Sequence, residues 1–312
     1  MSANAIDELE AAEVRPDRNK ASFLGRSPSD TPAGWYNYVL LSLGVLISAW
    51  PIYWMGIIST ETENKITHFG FPQVLPGSRF VFNTQIVMGK QVTNYPSYGS
   101  VHFLHSMINS VIVVIVVAAG QLFFCSLAGF AFAKLRFIGR DKLFVFIVLT
   151  LTIPAQLGIV GAYMEWKALH GIGTLFAVIV PALVSAFGVF YMRQFIEDSI
   201  PDEIIESARV DGASTFRVYW NIILPVIRPA LGVLGLIVII GSWNEYLWAL
   251  VSVGGTSAQT IGPAVHNLRS GTTPRYSIII TGSFLASVPL VILLIATGKQ
   301  IVQGIMEGAV KT

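Results

Sequence analysis

Six stretches of roughly twenty residues, each about as long as a helix must be to cross the 30 Å hydrocarbon core of a bilayer, dominate what this chain can become. They run over Trp35–Ile58, Ile108–Phe132, Leu143–Tyr163, Thr174–Met192, Pro229–Val253 and Ser277–Gly298, and together hold one formally charged side chain, Glu245. A half-buried soluble helix would show a polar residue every third or fourth position, and these do not. The remaining sequence does not dilute the signal: 53% of the 312 residues are hydrophobic and 12% charged, against roughly 25% charged in soluble domains. The expected fold class is all-α, a polytopic membrane protein with six transmembrane helices. The first stretch follows a largely polar segment of 34 residues and is too long for the apolar region of a signal peptide, so it is read as a membrane helix.

Lys and Arg set the orientation of an alternating path. The side that holds the N-terminus carries fourteen of them, including Arg136, Arg140, Arg209 and Arg217, and the opposite side six. Both termini are therefore expected in the cytoplasm. Residues 1–34 mix six acids with four bases and read as a disordered cytoplasmic tail. The six-span domain covers 35–300, with an external loop over 59–107 that is rich in Gly, Pro, Asn and Ser and holds some short helix. A cytoplasmic loop covers 193–228, and 301–312 form a cytoplasmic C-terminal tail. Pro51, Pro154, Pro181 and Pro289 fall inside spans, where each removes a helix hydrogen bond and predicts a kink. The single cysteine, Cys125, lies within the second span and allows no intrachain disulfide. His102 and His105 are three apart with no further ligands nearby, so no metal site is expected.

The segment EIIESARVDGASTFRVYWNIILP, Glu203 to Pro225, is the least lipid-like long stretch in the second half of the chain. Ser199, Pro201, Asp202 and Glu203 supply a capping hydroxyl, a proline for the first turn and acids for the positive end of a helix dipole, so a helix is expected from near Ile200. Asp211-Gly212 readily leaves the right-handed helix, and Ser214 or Thr215 can cap a second short helix carrying Phe216, Tyr219, Trp220 and Ile223. Two short helices at an angle follow, with Ala208 and Gly212 leaving room at the elbow. A helix lying on the inner leaflet, anchored by Tyr219, Trp220, Arg209, Arg217 and Arg228, would account for the aromatics and arginines. It would not require Glu206, Ala208, an Asp-Gly break and a Leu-Pro ending at set intervals.

At these residues the chain resembles the permease subunits of ATP-binding-cassette importers, whose cytoplasmic loop reads Glu-Ala-Ala, three residues, Gly, nine residues, Ile, one residue, Leu-Pro. Glu206-Ser207-Ala208, Gly212, Ile222, Leu224 and Pro225 keep that spacing, with Ser207 in place of the first alanine. FAKLRFIGRD (Phe132 to Asp141), IPAQ (Ile153 to Gln156), WNEYLWAL (Trp243 to Leu250) and QGIMEGAVK (Gln303 to Lys311) are similar to segments of the carbohydrate-importer branch, close to the smaller maltose permease subunit. The likeness covers roughly Asn109 to the C-terminus.

The resemblance implies a type I importer permease fold in the bacterial cytoplasmic (inner) membrane. It implies that Glu203, Glu206, Ser207, Ala208, Asp211, Gly212, Ile222, Leu224 and Pro225 form a coupling helix and its joint, seated on a separate ATPase. The expected partners are an ATP-binding-cassette ATPase dimer, a second and larger permease chain, an extracellular or periplasmic solute-binding protein, and membrane lipid, with no nucleic acid. ATP and Mg are expected on the ATPase and no cofactor on this chain. The sequence agrees, because no G-x-x-x-x-G-K-[S/T] loop is present; Gly298-Lys299 lacks the upstream glycine pattern. Oligosaccharides, monosaccharide derivatives, polyols and glycerol phosphate compounds are all carried by similar permeases.

Glu245 is the remaining candidate, since a charge within a span marks function by default. With Trp243, Asn244, Tyr246 and Trp248 it reads either as an interfacial aromatic belt or as a sugar path, in which aromatic faces stack on a pyranose and Asn244 and Glu245 hydrogen-bond its hydroxyls. An ion-coupled secondary transporter is the competing class; it calls for inverted repeats and a charge at the midplane, and neither is evident. A membrane-embedded enzyme would need a clustered nucleophile, base or metal set, which the sequence does not offer.

Overall fold

The computed structural model of the protein describes residues 34–68, 74–91, 101–269 and 274–309. The segment read as a disordered tail lies, through residue 33, outside the described residues, as do parts of the external loop. The chain divides into two units, Met1–Tyr53 and Trp54–Thr312. Helix α1, Trp35–Ile58, runs across that division with Pro51 inside it. The second unit continues with α2 (Glu63–His68), α3 (Phe80–Val87), α4 (Phe103–Lys134) and α5 (Arg140–Thr150), then a 3-10 turn over Ala155–Gly158 and α6 (Ile159–Ala168). Helix α7 (Leu175–Ile179) passes through a 3-10 turn at Val180–Ala182 before α8 (Ala186–Ser199). After α9 (Asp202–Val210) come α10 (Thr215–Val218), a π-turn over Tyr219–Ile223, α11 (Leu224–Val226), α12 (Arg228–Trp243), α13 (Leu247–Val253), α14 (Ile261–Asn267) and α15 (Tyr276–Ala309).

Among the described residues four helical segments are long and apolar enough to cross a membrane, or six if two bent pairs each count as one span. The kink expected at Pro154 is a full break, and a further break without a proline interrupts the run 229–253. The run 143–163 is α5 and the segment Ala155–Ala168, with axes at 92°. Pro154 stands at the break with extended backbone (φ −59°, ψ 123°), as a residue that can neither donate to the preceding turn nor let its neighbour stay helical. The run 229–253 is α12 and α13, separated at Asn244–Tyr246 with no proline at the break; there the Glu245 carboxylate accepts the Trp248 amide at 3.0 Å and starts α13 afresh. A second sharp bend, 79°, separates Thr215–Val226 from α12 at Ile227, which is flanked by Pro225 and Pro229. Pro181 sits in the 3-10 turn before α8, whereas Pro51 and Pro289 lie within unbroken helices.

Helix α4 is the central element of the second unit and packs along α8 and α12. Lipid is as apolar as leucine, so helices in it associate through close packing and interhelical hydrogen bonds rather than by escaping water. The α4–α8 contact uses both devices. A Cβ on Gly129 would lie 2.7 Å from the Met192 Cβ and 2.8 Å from the Arg193 amide nitrogen, and one on Gly188 would lie 2.8 Å from Cys125 Sγ. The Gln121 amide donates to Ala182 O at 2.8 Å and accepts from the Ser185 hydroxyl at 2.8 Å, which in turn takes the Gly188 amide at 3.0 Å. These bonds answer backbone groups freed by the turn at Val180–Ala182. Val117, Phe130, Met192, Ile196 and Leu234 are among the fully buried residues of this core.

A second core joins α3, the start of α4, α14 and α15 around Ile86, Phe103, Leu268 and Ile278. It ties the described residues between α1 and α4 to α14 and α15. The Asn83 amide donates to Ser59 O and Glu61 O, and the Glu63 carboxylate accepts the Tyr276 and Ser277 amides at 2.9 Å, capping the start of α15.

Gly129→Val is expected to strain the α4–α8 contact by about 1–3 kcal/mol, the usual cost of overpacking. Gly232→Ala, where a Cβ would meet nothing within 4 Å, is expected to leave the helix as stable or slightly more so. Melting temperatures of the two purified proteins in detergent check the contrast; equal values would refute the close approach at Gly129.

Candidate functional site

The polar elbow begins where α8 stops. Ile200 is extended (φ −126°, ψ 108°) because the ring of Pro201 excludes a helical residue before it, and Pro201 itself occupies the N-cap position of α9. Ser199 is therefore not the cap expected of it. It is the last residue of α8, and its hydroxyl is buried without a hydrogen-bond partner among the described residues. The helix starts at Asp202, with Asp202 and Glu203 in its first turn beside the positive end of the dipole.

The end of α9 is a Schellman turn. The Ala213 amide reaches back to Ala208 O at 2.9 Å and the Gly212 amide to Arg209 O at 3.0 Å, with Gly212 at φ +78°. A Cβ at Gly212 would meet nothing within 4 Å, so its backbone angle and not a close contact demands glycine there. Ser214 then caps α10 by accepting the Arg217 amide at 3.3 Å.

Burial divides the elbow in two. Ile205 and Ala208 face inward, while Glu203, Glu206, Ser207, Asp211 and Gly212 are exposed. Large apolar side chains stand out beside those acids: Val210 is 87% exposed, Phe216 60% and Trp220 52%. The far end is embedded, with Ile223 and Ile227 fully buried, Ile222 and Leu224 half-buried and Pro225 exposed. Tyr219 lies in the core and not at a lipid surface: its hydroxyl is 2.7 Å from Ser126 Oγ, and its ring centroid is 5.9 Å from that of Phe130, both on α4. Lys134, at the end of α4 with its side chain 7% exposed, reaches Asp202 Oδ1 at 2.7 Å. The hydrogen bond and charge of Lys134 hold the Asp202 carboxyl below the ordinary carboxylate range, with Arg136 and Arg140 adding to the pull.

Trp243, Asn244, Glu245, Tyr246 and Trp248, grouped by sequence, line two different cavities. Trp243, Asn244 and Tyr246 border a space of about 460 Å³ with His266 and Arg269. There Trp243 Nε1 donates to Ala286 O at 3.2 Å, and the Tyr246 hydroxyl is 2.7 Å from His266 Nδ1. Glu245 and Trp248 border a larger cavity of about 680 Å³. The Trp248 indole donates to Ala177 O at 2.8 Å, which ties α13 to α7.

The larger cavity is bordered by three breaks in regular helix. Gln156 and Gly158 come from the break at Ala155–Gly158, Pro181 and Ala182 from that at Val180–Ala182, and Glu245 from that at Asn244–Tyr246, with Ser242 from the last turn of α12. Irregular backbone at membrane depth persists where it is buried in protein or lines a watery cavity. Glu165 and Trp166 on α6 also border it. Neither was grouped with Glu245 by sequence, because a straight third span would end before them; the signal was Pro154, whose bend carries α6 back to the cavity. Gly171 lets the Trp166 indole lie where it does, since a Cβ there would collide with the ring.

A family model for the binding-protein-dependent transport system inner membrane component matches residues 125–307. The chain is 30% identical over 274 residues to the lactose transport system permease protein LacG of Rhizobium radiobacter, covering 88% of this chain and 95% of that one. It is 32% identical over 203 residues to the arabinooligosaccharides transport system permease protein AraQ of Halalkalibacterium halodurans (65% and 72%). It is 27% identical over 276 residues to the sn-glycerol-3-phosphate transport system permease protein UgpE of Yersinia pestis (86% and 95%). Its fold matches, with a TM-score of 0.67 at 21% identity over 88% of this chain and 98% of the other, a chain in the crystal structure of a bacterial ABC transporter involved in the import of the acidic polysaccharide alginate.

The Lys134–Asp202 pair yields a test of how the elbow is held. Asp202→Ala leaves a nearly buried ammonium without its partner, whereas Lys134→Met fills a similar volume with no charge. The aspartate variant is expected to melt lower than the lysine variant at pH 7. Since the Asp202 carboxyl is held low when folded, the pair's contribution is complete above the ordinary carboxylate range and is lost as pH falls through the lowered value. The wild-type advantage over Lys134→Met should shrink in that acid window; an advantage independent of pH would count against the pair.

Proposed function

The chain belongs to the family of binding-protein-dependent transport system inner membrane components, and from that premise we propose that it is the permease subunit of an ATP-driven importer that brings a carbohydrate or related polyol into the cytoplasm. The transported class is carried over from relatives named for lactose, arabinooligosaccharides and sn-glycerol 3-phosphate. The membrane is the bacterial inner membrane, with the elbow and both termini on the cytoplasmic side, as the fourteen-to-six bias of Lys and Arg suggests. A second permease completes the pathway, a solute-binding protein delivers to the external segment, and two ATPase copies grip one elbow from each permease. ATP and Mg belong to those ATPases.

The observation that carries this reading is an exposed elbow that is mechanically continuous with the spans. Glu203 and Glu206 offer charge to basic groups of an ATPase, and Val210, Phe216 and Trp220 offer apolar surface for a groove. Behind them Tyr219 and Ile223 are sunk in the core against α4, and the Ile227 bend leads directly into α12. Driving a two-state change from one side to the other takes about 5.5 kcal/mol of differential binding. Freeing large buried side chains costs about 2–5 kcal/mol each. Two such anchors, together about 4–10 kcal/mol, are of the same order as the load, so a push on the elbow is passed to α4 and α12.

Reconstitution with the ATPase subunits tests the proposal. Gly212→Pro, which cannot hold φ +78°, is expected to leave the chain inserted and to abolish substrate-stimulated ATP hydrolysis, while Gly212→Asn, tolerant of that angle, retains most of it. Glu206→Lys is expected to lose co-purification of the ATPase. Normal stimulation in Gly212→Pro, or uptake that runs on a proton or sodium gradient with no ATPase present, would reject the assignment.

A further inference from the structure

The free hydrogen-bonding groups of the 680 Å³ cavity are unbalanced in a way that selects its occupant. Part of its polar lining is already committed: Gln121, Ser185 and the Trp248 indole hold backbone at the helix breaks. Glu245 spends one oxygen on the Trp248 amide at 3.0 Å and keeps the other. The Glu165 carboxylate makes no hydrogen bond or ion pair among the described residues, and no Lys, Arg or His borders the cavity. What faces the space is therefore up to three carboxylate oxygens, the Gln156 amide, the Ser242 hydroxyl, the Trp166 indole and apolar walls, so that charge and acceptor capacity lie with the two carboxylates.

We infer that this cavity takes an uncharged or cationic polyhydroxylated solute, a neutral sugar, polyol or amino sugar, and turns away phosphorylated and uronate solutes. This rests on the reading of the cavity as part of the solute path. Ionised carboxylates accept hydrogen bonds and donate none. A hydroxyl-rich ring supplies the donors they lack, with charge-assisted bonds stronger than neutral ones, and its apolar face meets the Trp166 ring. An anion brings further acceptors and like charge into a space walled by membrane helices, where water screens weakly.

Three sugars with one ring and different charge test this: D-galactose, D-galactosamine and D-galacturonate. Each is titrated at pH 7 into the assembled importer in nanodiscs, without nucleotide, and binding is read from tryptophan emission. Galactosamine and galactose are expected to bind, and galacturonate at least about tenfold more weakly. In the double variant Glu165→Gln, Glu245→Gln, where glutamine can still accept the Trp248 amide, the gap should close to within about threefold. Galacturonate binding as well as galactose in the wild type, a gap that persists in the double variant, or no response to any of the three overturns the inference. Loss of ATP-driven uptake with the binding order intact would instead count against the permease reading.

Discussion

A backbone amide in hydrocarbon has no water to turn to, and the arrangement of this protein follows from where that demand is met and where it is relaxed. Regular helix meets it along α4 and most of α15. At Ala155–Gly158, Val180–Ala182 and Asn244–Tyr246 the regular pattern fails, and the side chains at hand take over: Gln121, Ser185 and the Trp248 indole at the second break, Glu245 at the third. All three breaks gather at one cavity. The polar groups that make the breaks tolerable are thereby occupied, and Glu165, the second oxygen of Glu245, Gln156 and Ser242 are left facing the cavity.

Close packing at α4 supplies the second half of the design. Glycine at 129 and 188 lets α4 and α8 approach until no Cβ would fit between them, and the end of α4 then holds the elbow through Ser126, Phe130 and Lys134. The exposed face of α9 and α10 is thus anchored directly to the packed helices. A lipid-surface helix would have its aromatic residues outward; here Tyr219 is inward and Trp220 outward, one side chain per task.

Much of this was legible from residue order, and the exceptions have physical causes. The apolar runs, the Asp-Gly elbow and the Ser214 cap follow from local rules that need few neighbours. Ser199 misled because a hydroxyl before a proline resembles a cap, yet Pro201 forced Ile200 out of the helix and took the position itself. Pro154 marked a kink in the run 143–163 though not its 92° size, and nothing marked the break in the run 229–253, because a break stabilised by Glu245 leaves hydropathy unchanged. Glu165 escaped for the same reason: membership of the cavity depends on a 92° bend and not on distance along the chain.

The π-turn at Tyr219–Ile223 carries one further consequence. Such a turn fits an extra residue into one loop of helix, and each residue of α-helix advances the azimuth by about 100°. It therefore acts as a phase setter. With it, Tyr219 and Ile223 point to α4 while Phe216 and Trp220 point away; a chain one residue shorter there would still be helical, but its outward apolar stripe would be rotated by more than a quarter of a circle relative to the spans. Length at this turn is constrained by angle rather than by reach.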